Sequence, residues 1–354
     1  MTATLPATHF ALPESLTATE PPEHRGLSRD HVRLLVAQSG GIEHTTFDQL
    51  ASYLSPGDLI VVNTSQTMAA EIDAVRQDGW PAVVHFATEL DDRSWVVELR
   101  TAPSARRPIL DGFAGELIRV ARSVRVRLLE PYPARGASPT GRGNRLWRAQ
   151  VVSRKPFSQY LAEHGRPISY GYLRRSWPLA DYQTVFATHP GSAEMPSAGR
   201  PFSAELLVNL LVSGIAIAPI TLHTGVSSQE AGEPPQAERF SVPAATARQV
   251  NSARAAGSRV VAVGTTVTRA LESAAGTDGE VRSASGWTDL VLGPQHPVQV
   301  VTGLITGLHN PDASHLLLVE SVAGAELAQL AYDAAVTERY LWHEFGDSCL
   351  LLRR

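Results

Sequence analysis

Three short stretches place proton-handling or small polar residues directly after apolar runs. They are ITLHTG, with Thr221, His223 and Gly225; AVGTT, with Gly264, Thr265 and Thr266; and LITGLHNP, with His309 and Pro311. Imidazole is the usual proton-transfer group near neutral pH, so His223 and His309 are candidates for acid–base work. A packed, hydrogen-bonded histidine is the alternative for each. At Gly264-Thr265-Thr266 the missing side chain allows close backbone approach, while two hydroxyls and the amides of a helix start can meet a polar or anionic group. The same threonines suit a helix N-cap, and the stretch alone leaves both readings open. Arg269 and Glu272, three apart on the following helix, fit a surface ion pair. There is no His-x-x-x-His with a Glu, no GxxxxGK, no GxGxxG after a strand and no GxSxG. Metal hydrolysis, phosphate-loop chemistry, dinucleotide redox chemistry and a serine hydrolase are thereby disfavoured.

Those three stretches need strands to end them and helices to follow. RLLVAQ (33–38) and LIVVN (59–63) read as strands, with Asp48 placed to cap a short helix between them. From Met68 the pattern becomes short alternating segments, PAVVHFATEL, SWVVELR and SVRVRLLEP, cut by Gly, Pro and Asp: a small all-β unit. ARGASPTGRGN (134–144) reads as its exposed loop. The second half alternates helix and strand. Ser203 caps AELLVNLLVS, Gly214 ends it and IAIAPITL follows; residues 246–256 read as a helix closed by Gly257, SRVVAVG as a strand, and VTRALESA and LAQLAYDAAVTERYL as further helices. This alternation predicts an α/β class with a mainly parallel sheet domain and an inserted small β-barrel domain. The expected division is 1–65 and 161–354 for the α/β domain, with 66–160 inserted. In open sheets of this kind ligands collect beyond the carboxyl ends of the strands, where the three stretches lie.

Apolar residues make up 43% of the 354-residue chain and charged residues 19%, which fits a globular protein of about two domains rather than a disordered one. Cys349 is the only cysteine, which excludes an intrachain disulfide and fits a reducing cytoplasm. The first residues lack a basic region followed by an apolar core, and Asn209, Ser213 and Pro219 break the most apolar window, so neither export nor membrane insertion is expected. Between Arg119 and Lys155 stand ten basic residues and one acid, a net +9, against −4 for the whole chain. That asymmetry points to a polyanion-binding face, with solvated strand faces as the alternative.

Taken in order, LSPGDLIVVN, DYQTVF, the PG and PSAG of HPGSAEMPSAG, ITLHTG, VVAVGTTVTRALES, LITGLHNPDASHLLLVESVAG and YDAAVTERYLWHEFGDS resemble the S-adenosylmethionine:tRNA ribosyltransferase-isomerase family of queuosine biosynthesis. The resemblance runs nearly end to end. It implies an α/β domain carrying an inserted β-barrel. It also implies transfer of a ribosyl unit from S-adenosylmethionine to 7-aminomethyl-7-deazaguanine in a tRNA anticodon, with release of adenine and methionine. S-adenosylmethionine is then a co-substrate, no metal is called for, and tRNA is a partner met through the segment between Arg119 and Lys155. By family position, Tyr182, Gln183, His223 and His309 are the expected catalytic groups. Asn63, Pro196, Ala198, Gly199, Thr221, Gly225, Gly264, Thr265 and Thr266 are expected around the co-substrate, with Thr184 and Pro311 bordering them.

The chain also departs from the family pattern. Gln66 and Glu71 stand where the family has arginines, Glu194, Arg200 and Pro201 where it has small or apolar residues and a histidine, and Gly307 where it has an asparagine. VSSQEAGEPPQAERF replaces a longer glycine- and histidine-containing segment. A divergent member is expected, keeping donor chemistry with a changed acceptor. A binding protein without catalysis is the alternative of a different class.

Overall fold

The computed structural model of the chain describes residues 5–134, 141–227, 235–311 and 313–353. Strand β1 (Arg33–Gln38) turns back into β2 (Gly41–Thr46), and a 3-10 helix, Phe47–Tyr53, leads to β3 (Leu59–Asn63). Both strands read from the sequence form as expected. Asp48 does not cap the helix: its carboxylate accepts the Thr46 hydroxyl at 2.5 Å.

After the short β4 (Ser65–Thr67) the chain enters the β-rich unit. Here β5 (Glu71–Val75), β6 (Pro81–Glu89), β7 (Trp95–Thr101), β8 (Leu117–Ala121), β9 (Val124–Pro131) and β10 (Leu146–Val152) close into a barrel, ordered β10-β7-β6-β5-β8-β9. Closure removes the exposed sheet edges that so small a unit would otherwise carry. Alternate residues of each strand fill it: Val84 and Phe86, Val97 and Leu99, Val126 and Leu128 are all buried, and Leu161 of helix α1 (Phe157–His164) packs onto the same core. The loop expected at 134–144 falls largely on residues 135–140, outside the described residues.

The chain then returns to the large sheet through β11 (His189–Ser192), which pairs parallel to β4. Helix α2 (Ala204–Val212) is capped by Ser203, whose hydroxyl accepts the Leu206 amide at 3.1 Å, and Gly214 ends it at φ 78°. The remaining elements are β12 (Ala216–Leu222), β13 (Glu238–Val242), α3 (Ala244–Ala255), β14 (Val260–Val263), α4 (Thr265–Ser273), β15 (Ala284–Thr288), β16 (Gly303–Gly307), α5 (His315–Ala323), α6 (Ala325–Thr337) and β17 (Ser348–Leu352).

Nine strands form one mixed sheet, ordered β15-β13-β12-β3-β14-β16-β17-β1-β2. Its centre, β12-β3-β14-β16, is parallel as the helix–strand alternation requires; antiparallel pairings flank it on both sides. β3 and β14 are buried along their whole length because both faces are covered, whereas Ala216 and Pro219 of β12 are exposed. Leu59 and Val61 face the core beneath α3 to α6, while Ile60 and Val62 face the core with Phe47, Phe202 and Leu206. The C-terminal strand β17 lies between β16 and β1, so both ends of the chain close one sheet. Among the described residues no helix is long and apolar enough to cross a membrane.

Candidate functional site at the strand ends

The site begins where β3 stops. Asn63 is 4% exposed and binds in three directions: its amide donates to the Leu222 carbonyl (2.8 Å) and to the Thr266 hydroxyl (3.3 Å), and its carbonyl accepts the Leu222 and Ser65 amides (3.0 Å each). One side chain thus ties the end of β12 to the first turn of α4. Thr64 bonds the Thr221 hydroxyl at 2.9 Å. Ser65 then bonds the Ser192 hydroxyl (2.6 Å) and Nδ1 of His223 (2.7 Å). His223 is further confined by Gly191, where a Cβ would lie 2.4 Å from the ring. Burial lowers its pKa, and Arg239 and His189 lower it further, so the imidazole is neutral at pH 7. Its Nε2 carries no hydrogen bond among the described residues.

Gly264 occupies the N-cap of α4 at φ 91°, a region glycine enters without strain, and its amide donates to Ile305 at 2.8 Å. Thr265 and Thr266 are therefore the first helical residues, and neither side chain caps the helix. The open question at this stretch is settled in favour of the hydroxyls being free of capping duty. Pro196 leads into the 3-10 turn Ser197–Gly199, which lies against this point; a Cβ on Gly264 would come 3.2 Å from that of Ala198.

Two of the four expected catalytic side chains are committed elsewhere. Gln183 accepts the Thr67 amide (3.1 Å) and donates to the Thr67 carbonyl (2.8 Å), completing β4 as a strand neighbour would. Tyr182 is 3% exposed among Trp177, Met195 and Phe345, and its hydroxyl is buried without a hydrogen-bond partner. Its position is fixed by packing, and burial keeps the phenol protonated. Neither reaches outward. Thr184, 7% exposed, packs beside Gly199. His309 lies beyond β16, bonded through Nε2 to the Thr306 hydroxyl (2.9 Å) and stacked on His315 with ring centroids 4.9 Å apart. Burial first, then His315 and His343, hold its pKa well below the ordinary value.

Arg269 corrects the sequence reading. It is 7% exposed, pairs with Glu238, and donates to the carbonyls of Leu290 (3.0 Å) and Thr288 (3.1 Å). Glu238 in turn accepts the Gly225 amide at 3.1 Å. Glu272 instead accepts the amides of Gln299, Val300 and Val301. Three departures from the family pattern, Glu71, Glu194 and Arg200, are bonded within the protein. Glu71, 2% exposed, bonds His85 (2.9 Å) and Arg166 (2.6 Å). Glu194 accepts the Tyr170 hydroxyl and the Ser227 amide, and Arg200 donates to Glu23 and to the Asp181 carbonyl, 2.8 Å each. Of the replaced segment after LHTG, residues 228–234 lie outside the described residues.

On the barrel, Arg119 sits opposite Arg125 across β8 and β9, with Arg127 two residues on; all three are exposed, as is Arg122 in the intervening turn. None is ion-paired among the described residues. The expectation for 142–148 divides. Arg145 is buried against Glu98 at 3.2 Å, and Arg148 pairs with Glu130 at 2.7 Å and with Asp92, so these two are not free cations. Among the described residues no three His, Cys, Asp or Glu side chains converge to hold a metal ion. The Ser65–Ser192–His223 contacts have no sequence signature, because the three residues come from separate segments.

A mixed sheet with a parallel centre and a closed barrel inserted behind β3 define an α/β protein, with glycine, threonine and histidine gathered at the carboxyl ends of its strands, where such sheets bind ligands. The comparisons narrow the class. A family model described as queuosine biosynthesis protein matches residues 5–351. The S-adenosylmethionine:tRNA ribosyltransferase-isomerase of Moorella thermoacetica is 35% identical, the alignment covering 97% of this chain and 98% of that protein. The protein of the same name from Thermoanaerobacter sp. (strain X514) is 32% identical with the same coverage. A crystal structure of S-adenosylmethionine tRNA ribosyltransferase from Thermotoga maritima is 28% identical and matches with a TM-score of 0.53 over 98% of this chain and 99% of that one. This chain belongs to the queuosine biosynthesis protein family.

Proposed function

We propose that this chain is an enzyme that binds S-adenosylmethionine at the Gly264 turn. It transfers the ribosyl unit to the 7-aminomethyl-7-deazaguanine of a tRNA, with isomerisation of the sugar and release of adenine and methionine. The observation that carries the reading is the meeting at one place of three retained family phrases. Gly264 lies against Ala198, Thr266 accepts from Asn63, and Asn63 holds the strand end that presents His223. The first amides of α4 have no intrahelical acceptor and suit the polar groups of a nucleoside, while Gly264 leaves the backbone open to close approach. A sulfonium acidifies the adjacent ribose 5′ hydrogens, and neutral side chains fixed beside it can accept or return a proton.

The acidic departures do not argue against a polyanion. Glu71 and Glu194 are each engaged by internal donors, so neither offers free negative charge at the surface. Contact with tRNA phosphates through Arg119, Arg122, Arg125 and Arg127 is the reading that fits four unpaired exposed cations, since like charges directly opposite on a sheet are unfavourable without a counter-charge. A tRNA substrate fits the cytoplasmic location expected from the sequence. Calorimetry with S-adenosylmethionine tests the reading: binding that Thr265→Val and His223→Ala weaken supports it, and a folded protein that binds none at about 10 mM co-substrate, roughly ten times the upper end of ordinary substrate affinities, removes it.

A further inference from the structure

The turn 343–346 carries a half-buried carboxylate, Glu344, that takes no part in the contacts around Gly264 and His223. Glu344 lines a cavity together with Arg29, Ser197, Arg200, Gly307 and Ser348. Ser197 precedes the Ala198 that meets Gly264, and Gly307 ends β16, so the cavity borders the proposed co-substrate position. Oε2 of Glu344 accepts the Tyr172 hydroxyl, and Oε1 accepts from no other side chain among the described residues. The Tyr172 ring stacks on His343 with centroids 4.3 Å apart at 15°. His343 itself is held at φ 74°, a left-handed conformation that a residue with a Cβ adopts only at a cost. Backbone strain of this kind gathers at functional sites.

From this geometry we propose that Glu344 is the catalytic base that removes a ribose 5′ proton of S-adenosylmethionine, with Tyr172 as its positioning residue. The proposal rests on the reading of the cleft as an S-adenosylmethionine site. In the step, the C5′–H bond breaks, its proton goes to the Glu344 carboxylate, and the electron pair stays on C5′ beside the sulfonium. Burial pushes the Glu344 carboxyl up to about 7, so near neutral pH it is both ionised in part and basic enough to accept a proton. The groups bearing on it are Tyr172, Tyr170, Tyr182 and Glu194, His343 and Asp347 on its own turn, and Arg29 and Arg200 across the cavity. Both arginines are already engaged by Glu23.

The experiment follows exchange of the ribose 5′ hydrogens of S-adenosylmethionine with deuterated water by mass spectrometry, which needs no acceptor tRNA. Calorimetry runs in parallel. The wild-type protein should exchange with a rate that rises through about pH 7. Glu344→Gln should bind S-adenosylmethionine as before and exchange about 100-fold or more slowly. Tyr172→Phe, which removes a hydrogen bond to the carboxylate, should still exchange but with its rising limb at higher pH. Exchange by Glu344→Gln at a near wild-type rate overturns the assignment. Wild-type protein that binds but does not exchange overturns it while leaving the co-substrate reading standing, and absence of binding overturns that reading itself.

Discussion

The hydroxyl of Ser65 lies 2.7 Å from Nδ1 of His223 and, on its other side, 2.6 Å from the hydroxyl of Ser192. The chain fixes the imidazole in one orientation with Nε2 outward. Ser65→Ala leaves a buried hydroxyl and an imidazole nitrogen without their shared partner, at a cost of about 1–3 kcal/mol. Co-substrate turnover should fall more than co-substrate binding, because the ring remains but wanders. Thermal melts and steady-state kinetics on the same variant separate the two effects, and an unchanged kcat would show that the orientation is unimportant.

Substitutions at Gly264 and Thr265 should both weaken binding but differ in their effect on stability. Gly264→Ala forces a side chain to adopt φ 91° with its Cβ 3.2 Å from Ala198, so stability should drop by about 1–2 kcal/mol, together with co-substrate affinity. Thr265→Val removes no cap, since Gly264 holds that position, and should melt within about 0.5 kcal/mol of wild type while binding S-adenosylmethionine more weakly. A Thr265→Val protein that is markedly unstable would contradict the assignment of its hydroxyl to the cleft.

His85, fully buried in the barrel, stands between Glu71 at 2.9 Å and Glu98 at 3.5 Å. Burial opposes its charge, yet the two carboxylates raise its pKa. Burial likewise opposes the Glu98 charge, but His85, Arg145 and Arg100 hold that carboxyl down at about 2. The stability Glu98 contributes is complete above its unfolded value of 4.5 and is lost as pH falls toward about 2, whereas that of His85 is complete below 6.5 and is lost as pH rises through its raised value. His85→Leu leaves buried carboxylates short of their counter-charge and should cost about 3–5 kcal/mol near neutrality. Denaturant melts check this; a loss under about 1 kcal/mol would mean the network carries little.

Glu344 offers a pH test with the reverse sign. Its folded carboxyl keeps a proton up to about 7, against 4.5 for the ordinary side chain, so the associated stability is complete below 4.5 and is lost as pH rises through about 7. Glu344→Gln resembles the protonated acid and should be the more stable protein at about pH 8, with little difference at about pH 4. A constant difference in melting temperature across that range would show that the carboxyl titrates normally.

Most of the large sheet was legible. RLLVAQ and LIVVN form β1 and β3 at the predicted residues, and Ser203 and Gly214 bound α2 as capping chemistry requires. The strands that escaped notice were short or half-polar, such as GIEHTT in β2, or lay far from their partners in sequence, such as SCLLL in β17, which pairs with β1 across the whole chain. At the site, residue type and strand-end position picked out Gly264, Thr266 and His223. The sequence could not say that Gln183 clasps Thr67 or that Arg269 turns inward to Glu238, because those depend on which segments the fold brings together. The resemblance located Asn63; only the structure gives it three bonded directions.

On the barrel, Arg119, Arg125 and Arg127 share one exposed face. Each arginine replaced by alanine should reduce the slope of log affinity for tRNA against log salt by about 0.7 to 0.9, with no change in melting temperature. Arg145→Ala should behave differently and destabilise the barrel, because its guanidinium lies buried beside Glu98. Salt titrations of binding that leave the slope unchanged in the triple variant would assign tRNA contact to another face.

Ribosyl transfer from S-adenosylmethionine to tRNA is proposed to take place at the strand ends that carry Gly264 and His223. The most direct measurement incubates the protein with S-adenosylmethionine labelled in the ribose and tRNA bearing 7-aminomethyl-7-deazaguanine, and follows adenine, methionine and labelled tRNA together. Equal release of adenine and methionine, matched by label entering the tRNA and abolished in His223→Ala, is the predicted result. A folded protein that binds both substrates yet releases neither product, or releases both without labelling the tRNA, would contradict the claim.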